Sequence, residues 1–399
     1  MSPSVLLGIT GGIAAYKTPW LVRLLMQRDV GVRCVLTEAA TKFVTPLTLA
    51  TVSNNPVHHD MWANRDRPGV EHIALADEVD VAVIAPATAN VIGKLATGIA
   101  DDLLTTVFTA VTCPVLICPA MNVNMFRNPI VQRNINTLRE LGWNILEPAA
   151  GWLACGWVGE GRMPEPEVIA EEIRRLLTPA DLAGERILVT AGPTEEPLDP
   201  VRFITNRSSG KMGVAIAQRA AMRGADVTLV AGPLKVQAPQ RVTHIGVRTA
   251  QEMFDRVMER FSDVDVVIKA AAVADFRPGD STVEKIEKSN IRPTIEVVPN
   301  PDILMTLGGM KRDNQVLVGF AAETTDILRK GRGKLKAKNL DMLVLNDVTK
   351  PGAGFDYDTN IVRFLHRSGE EEQMDIMPKE QVADLILDRV KALRKGLGS

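Results

Sequence analysis

Val5-Leu6-Leu7-Gly8-Ile9-Thr10-Gly11-Gly12-Ile13-Ala14-Ala15 decides the fold. An apolar run from Val5 to Ile9 meets a glycine pair and passes at once into a helical pattern over Ala14–Met26. A run without polar alternation is what a strand buried on both faces needs. The order strand, glycine turn, helix is the opening of a parallel βα unit. The same rhythm returns farther on. Val32–Thr37, Val81–Ala85, Val115–Pro119 and Trp143–Leu146 read as buried strands, and Ile130–Leu141 as one of the helices between them. Glu171–Leu177 completes a helix, and Thr178–Glu185 reads as a connection. The pattern then restarts with Ile187–Thr190, a long loop, a helix over Gly213–Arg223 and a strand over Val227–Val230. Strands over Val266–Ala271, Val316–Phe320 and Met342–Leu345 follow. The expected fold class is α/β, with two doubly wound parallel-sheet (Rossmann-like) domains over 1–185 and 186–399. The halves repeat an architecture, not a sequence.

A chain of 399 residues is too long for one typical core, which agrees with two domains. Hydrophobic residues at 46% and charged residues at 24% describe an ordinary globular protein. A net charge of -2 gives no reason to expect nucleic acid or membrane as the main partner. Cys34, Cys113 and Cys118 sit in apolar runs, as small core hydrophobes do, and no pair has a metal-ligand spacing. The run Val5–Ile9 is too short for a signal peptide and lacks a basic n-region, and no apolar segment is long enough to span a bilayer. A cytoplasmic location is expected.

Several stretches of the first half carry chemistry. Gly11 and Gly12 stand at a helix start, where free N–H groups favour a phosphate, although the spacing is not the dinucleotide fingerprint. Thr37-Glu38 ends the second strand, where a nicotinamide enzyme would place its ribose-binding acid. Ala85-Pro86-Ala87-Thr88-Ala89-Asn90 is small and polar at the carboxyl edge of the sheet, where open α/β folds bind ligands. His72 lies among apolar residues, where a single His is more often structural than catalytic, while the adjacent His58 and His59 point apart. Asn122, after another strand end, can bind a carboxylate or cap a turn. Ala154-Cys155-Gly156-Trp157-Val158-Gly159-Glu160-Gly161-Arg162-Met163 reads as a glycine-softened lid with a thiol, or as a plain surface loop.

Together, G-I-T-G-G-I-A-A-Y-K, A-P-A-T-A-N, H-I-x-L-A, P-A-M-N-x-x-M and A-C-G-x-x-G-x-G-R-M resemble the flavin-dependent cysteine decarboxylases. The family's usual Trp after P-A-M-N-x-x-M is Phe126 here, which keeps an aromatic wall. The resemblance implies a flavodoxin-like domain holding FMN through Gly11, Gly12, Thr37, Ala87, Thr88, Ala89 and Asn90. It also implies that a cysteinyl thiol is oxidised so that its sulfur can accept the electrons left by CO₂. His72 then assists the oxidation, Asn122 holds the substrate carboxylate and Cys155 donates the final proton.

The second half has its own set. Thr190–Pro197 leaves a strand, and Asn206-Arg207-Ser208-Ser209-Gly210 runs into a helix as an anion site or an ordinary cap. Neither glycine cluster is a Walker A loop. Lys330, Lys334 and Lys338 recur at helical spacing among Arg329, Arg332 and Lys336, as a solvated face or a triphosphate-binding one. The stretches T-A-G-P-T-x-E, I-T-N-R-S-S-G-K-M-G, A-A-V-A-D-F, E-K-I-x-K, N-P-D-I-L, V-G-F-A-A-E-T and K-L-x-x-K-N resemble the bacterial, CTP-using phosphopantothenate–cysteine ligases. That resemblance implies CTP contacts at Ala271, Asp275, Lys285, Pro301, Asp302, Ile303, Leu304, Phe320, Lys334 and Lys338. It makes Lys285 the main transition-state lysine and places Asn206 on the acyl intermediate. Mg²⁺ is expected with CTP, on ligands the sequence does not reveal.

Nearly the whole chain thus resembles the decarboxylase–ligase fusion of coenzyme A biosynthesis. The implied partners are 4′-phosphopantothenate, cysteine and CTP. Decarboxylase trimers and ligase dimers are implied as well, combining into a homo-oligomer such as a dodecamer. Two other classes are compatible with parts of the sequence. A flavin-binding regulatory protein would share the fold, but His72, Asn122 and Cys155 are all present. A nicotinamide oxidoreductase would fit Glu38, but neither glycine pattern matches it.

Overall fold

The computed structural model describes residues 2–62, 71–152, 158–287, 294–322, 326–346, 354 and 357–397. It divides into two units, Met1–Thr178 and Pro179–Ser399. In the first unit, β1 (Ser4–Ile9), β2 (Gly31–Leu36), β3 (Val57–His58), β4 (Val81–Ala87), β5 (Val115–Pro119) and β6 (Asn144–Ile145) form one parallel sheet in the order β3-β2-β1-β4-β5-β6. Alternate residues serve opposite faces, which is why the runs are continuously apolar. Val5, Leu7 and Ile9 enter one core and Leu6 the other. The helix expected from Ala14 is divided. Ile13–Lys17 is a 3-10 turn, and the α-helix runs Thr18–Met26 with Pro19 in its first turn. Proline has no N–H to donate and fits only at a helix start, so the α-helix begins afresh there.

Cys34 and Cys118 are buried, and burial pushes the Cys34 thiol up to about 12 and raises that of Cys118 too. Two short strands, β7 (Ala149–Trp152) and β8 (Val158–Arg162), pair antiparallel around the expected lid. Cys155 and its neighbours 153–157 lie outside the described residues.

The second unit repeats the plan. Its main sheet contains β9 (Arg186–Ala191), β12 (Asp226–Ala231), β13 (Thr243–Gly246), β14 (Val266–Lys269), β17 (Val316–Ala322) and β18 (Met342–Asn346). β20 (Val362–His366) and β21 (Glu371–Gln373) complete it. The order is β13-β12-β9-β14-β17-β18-β20-β21. The first six match the order of the other sheet and are parallel, while β20 and β21 add an antiparallel edge. Small antiparallel arms stand apart from the sheet: β10 (Glu195–Pro197) with β11 (Phe203–Thr205), β15 (Phe276–Pro278) with β16 (Val297–Pro299), and β19 (Thr359–Asn360) with β22 (Met377–Pro378). Among the described residues no helix is long and apolar enough to cross a membrane.

The connection after Thr178 packs with the second unit. Leu182 enters its core, and Asp181 accepts from Arg223 at 2.8 and 2.9 Å and from Lys391 at 2.6 Å. The Arg223 hydrogen bond, working against burial and aided by Lys391, holds the Asp181 carboxyl at about 2 instead of 3.8. A depressed carboxyl stabilises the fold above its unfolded value and loses that contribution as pH falls through its folded one. Asp181→Asn is therefore expected to cost on the order of 1–2 kcal/mol at pH 7. The gap from wild type should close between roughly pH 4 and pH 2, as urea unfolding across that range would measure.

Candidate functional site

In both sheets the strand order reverses beside the first strand, between β1 and β4 and between β9 and β14. Crevices at such switch points, outside the carboxyl ends of the strands, are where open α/β sheets bind ligands. The two crevices are built with the same device. The hydroxyl of Thr10, at the end of β1, donates to Pro86 O at 2.6 Å and accepts from Thr88 N at 3.1 Å. The hydroxyl of Thr190, in β9, accepts from Ala271 N at 3.2 Å. Both threonines are fully buried.

In the first unit a cleft of about 420 Å³ opens at the switch point, with Gly11, Gly12, Thr88, Ala89 and Asn122 in its lining. Thr88 caps the helix Ala89–Thr97. Asn122 caps the short helix Val123–Phe126, accepting from Asn124 N at 2.8 Å. The turn-capping and cleft-lining roles weighed for Asn122 therefore coexist, and its amide N–H₂ is the half suited to a carboxylate. Gly11 has a steric reason to be glycine: a Cβ there would lie 2.4 Å from Ala39 Cβ. Thr37 caps the turn Glu38–Lys42, Ala87 is buried in β4, and Asn90 is exposed on the first turn of its helix; none of the three lines the cleft. His72 is half-exposed in the helix Glu71–Asp77 and is not among the lining residues either.

The cleft also uses residues that carry no motif of their own. Met121, Met125 and Met163 supply apolar walls, and Lys17 and Arg162 supply charge. Lys17 pairs with Glu165 at 2.8 Å, and Arg162 pairs with the same carboxylate. The lid's last residues thus form one wall. Gly161, expected to lend freedom, is needed for contact: at φ +138 it approaches so closely that a Cβ would lie 2.2 Å from Met121 O. Its carbonyl accepts from Met121 N at 2.9 Å.

In the second unit the T-A-G-P-T stretch is knitted to the A-A-V-A-D strand end. Ala272 N donates to Gly192 O at 2.9 Å, and Ala274 N to the Thr194 hydroxyl at 3.0 Å. Asn206 donates from Nδ2 to Val273 O at 2.9 Å, which brings the N-R-S-S-G loop to the same edge. Ala271 is buried, whereas Asp275 is exposed beyond it. Asp302, after half-buried Pro301, caps the helix Ile303–Met310 and pairs with Lys338 at 2.8 Å. Ile303 and Leu304 put their side chains in the core, so only their backbone is available to a ligand. Phe320 is half-buried within β17, Lys334 is exposed on the helix Ile327–Ala337, and Lys338 closes that helix. Lys285 is exposed in the strap that follows β15.

Lys269 is a cation missed by sequence motif. It ends β14, and its ammonium donates to Ala271 O at 3.0 Å. Burial and the nearby Lys338 and Lys334 push it down to about 8, against the pull of Asp302 and Asp275. Burial opposes the charge on Asp302, but the Lys338 hydrogen bond, the Met305 amide and Lys269 together hold that carboxyl below its ordinary range. Three lysines and two aspartates therefore meet around the end of β14, a setting in which a polyanion would find both charge and structured carboxylates. The signal in the sequence was a lysine interrupting Val266-Val267-Ile268-Lys269-Ala270, an apolar run where a charge needs a reason.

Residues 1–178 match the Flavoprotein family, and residues 182–393 match the DNA/pantothenate metabolism flavoprotein C-terminal domain family. The chain is 46% identical over 399 residues to the coenzyme A biosynthesis bifunctional protein CoaBC of Bacillus subtilis (strain 168), spanning 99% of this chain and 98% of the relative. It is 45% identical over 356 residues to a cysteine/cysteine sulfinic acid decarboxylase of an unknown prokaryotic organism, spanning 88% and 99%. A crystal structure of the C-terminal domain of a CoaBC protein aligns over 54% of this chain and 99% of its own, at 43% identity and a TM-score of 0.47. By its two family matches and its end-to-end identity, the chain belongs to the bifunctional CoaBC family of coenzyme A biosynthesis.

Proposed function

We propose that the chain joins 4′-phosphopantothenate to cysteine in its second unit and decarboxylates the product to 4′-phosphopantetheine in its first. What supports the reading is that the chain matches CoaBC proteins from end to end, and that Gly11, Gly12, Thr88 and Asn122 line one cleft while Thr190, Gly192 and Ala271 are joined at the other sheet's switch point. For ligation, the carboxylate of 4′-phosphopantothenate attacks the α-phosphorus of CTP, and pyrophosphate leaves. The amine of cysteine then attacks the acyl carbon, loses a proton, and CMP leaves. Attack of one anion on another needs cations along the line of transfer. Lys285 supplies one from the strap, while Lys269, Lys334 and Lys338 surround the phosphates. Asp275, Asp302 and the backbone of 301–304 orient the nucleotide, with Ala271 and Phe320 beside it. Asn206 holds the acyl intermediate, and Mg²⁺ arrives with CTP.

The first cleft suits FMN: a glycine-edged mouth for a phosphate and methionine walls for a flat ring. Gly11, Gly12, Thr88 and Ala89 hold it there, with Thr37, Ala87 and Asn90 shaping the strand ends behind. Bound FMN supplies the two-electron oxidation of the cysteinyl thiol carbon and returns those electrons after CO₂ has left. Asn122 donates to the substrate carboxylate, His72 assists removal of the proton, and Cys155 gives the last proton back. Exposed Ile13, Tyr16 and Met125 flank the cleft, which supports trimers in which a neighbouring subunit covers the site and supplies its His72. Ligase dimers would then link the trimers into a dodecamer in the cytoplasm.

The test is to incubate the purified chain with 4′-phosphopantothenate, cysteine, CTP and Mg²⁺. Pyrophosphate and CO₂ should appear in equal amounts, with 4′-phosphopantetheine as product and flavin absorbance in the protein. Pyrophosphate without CO₂ would remove the decarboxylase half. CO₂ from free cysteine in the absence of CTP would favour the chemistry of the cysteine/cysteine sulfinic acid decarboxylase relative.

A further inference from the structure

A buried carboxylate outside every motif above faces the strap that carries Lys285. Asp199 lies in the turn between β10 and β11, and its side chain is 0% exposed. Its two oxygens divide their work. Oδ1 accepts from Val201 N and Arg202 N, both at 2.8 Å, and so closes its own turn. Oδ2 accepts from Ile286 N and from Arg202 Nη1, both at 3.3 Å, and so reaches the strap. The Arg202 guanidinium extends to Ile286 O at 3.5 Å, and Thr282 N donates to Leu198 O at 3.1 Å. The strap is therefore held to this turn on both sides of Lys285, by one bond at Thr282 and by two at Ile286, the next residue. Residues 280–285 of the strap are exposed, with Val283 94% accessible.

We propose that Asp199 is a positioning residue for ligation: through Oδ2 and Arg202 it clasps Ile286 and so sets the reach of Lys285 into the nucleotide site. A lysine on an untethered strap would sample many placements, and displacing a catalytic group by about 1 Å can cost on the order of 10²-fold in rate. A buried carboxylate meeting three N–H groups and a guanidinium is a stiff fastening, since each donor lost leaves a charge uncompensated. The amide donors and Arg202 outweigh burial and keep Asp199 ionised.

Resting on the ligase activity proposed for the second unit, the clasp is tested in the full chain with Asp199→Asn. The asparagine oxygen can replace Oδ1 and keep the turn, while its N–H₂ group faces the Ile286 N–H and the guanidinium, which it cannot accept from. The kcat for pyrophosphate release should fall about tenfold or more, with KM for CTP within about twofold of wild type. Hydrogen exchange at Ile286 should rise, and decarboxylation of supplied phosphopantothenoylcysteine should not change. Wild-type kcat in the variant overturns the clasp. So does a loss of kcat matched by a rise in KM for CTP with Ile286 exchange unaltered, since that marks damage to the nucleotide site itself. Should Asp199→Asn fail to fold, Ile286→Pro removes the N–H from the other side; it must show the same fall in kcat, and an unchanged kcat overturns the proposal. If wild type itself releases no pyrophosphate, the ligase assignment has failed instead, an outcome separate from any difference between variant and wild type.

Discussion

Lys285→Gln is expected to lower pyrophosphate release from CTP by on the order of 10²–10³-fold, the usual cost of removing a group aimed at developing charge. Glutamine keeps much of the length and a hydrogen-bond donor, so what is lost is the positive charge. The side chain is exposed and Ile286, not Lys285, makes the strap's contacts with Asp199 and Arg202. The variant should therefore fold like wild type. Decarboxylation of supplied phosphopantothenoylcysteine should be untouched, because the chain divides between Thr178 and Pro179 and each unit has its own sheet and cores. The check is a pair of assays on one preparation: pyrophosphate from CTP, and CO₂ from supplied substrate. Equal loss in both would show that the work is not partitioned between the units.

The second large effect is expected at Cys155. If its thiol only returns the last proton, oxidation and CO₂ loss do not need it. Cys155→Ser keeps the size but replaces an acid of pKa about 8.5 with a far weaker one. The variant should release CO₂ once and then stop, with a product that lacks the final hydride and proton. Mass analysis after a single turnover decides it. A fully reduced product at wild-type yield removes Cys155 from the proton step, and no CO₂ at all moves it to the oxidation.

Much of this architecture is legible in the chain, for a physical reason: a parallel strand buried on two faces has to be apolar throughout, and the ends of Val5–Ile9 and Val81–Ala85 betray themselves by glycine and proline. That pattern marks the strands, and folding sets them in matching orders in the two sheets. Contacts made by lone residues were not legible. Lys269 hides in an apolar run, and its effect depends on Lys338 and Asp302, which reach it only through folding. Asp199 serves a strap more than eighty residues away, so no local spacing marks it. Gly161 looks like a hinge in sequence, yet Met121 O gives it a steric reason. The antiparallel edge β20–β21 escaped because a short mixed run such as Val362-Arg363-Phe364-Leu365-His366 is neither continuously apolar nor strictly alternating.

The threonine hydroxyls at the two switch points set how work is shared within each unit. Thr10 is fastened across to Pro86 in β4 and to Thr88 just beyond it, and Thr190 to Ala271 just beyond β14, in each case inside the protein and away from competing water. Prising a crevice apart would break those bonds with nothing to replace them. The foundation under each ligand is thus set during folding, and the entropy of ordering it is not charged again at binding. The groups proposed for the chemistry are carried instead by parts hung outside the sheets, Lys285 on the clasped strap and Cys155 between β7 and β8. Selectivity would then reside below and tempo above: changes at the threonines should alter what binds, and changes at the overhanging pieces how fast it is turned over.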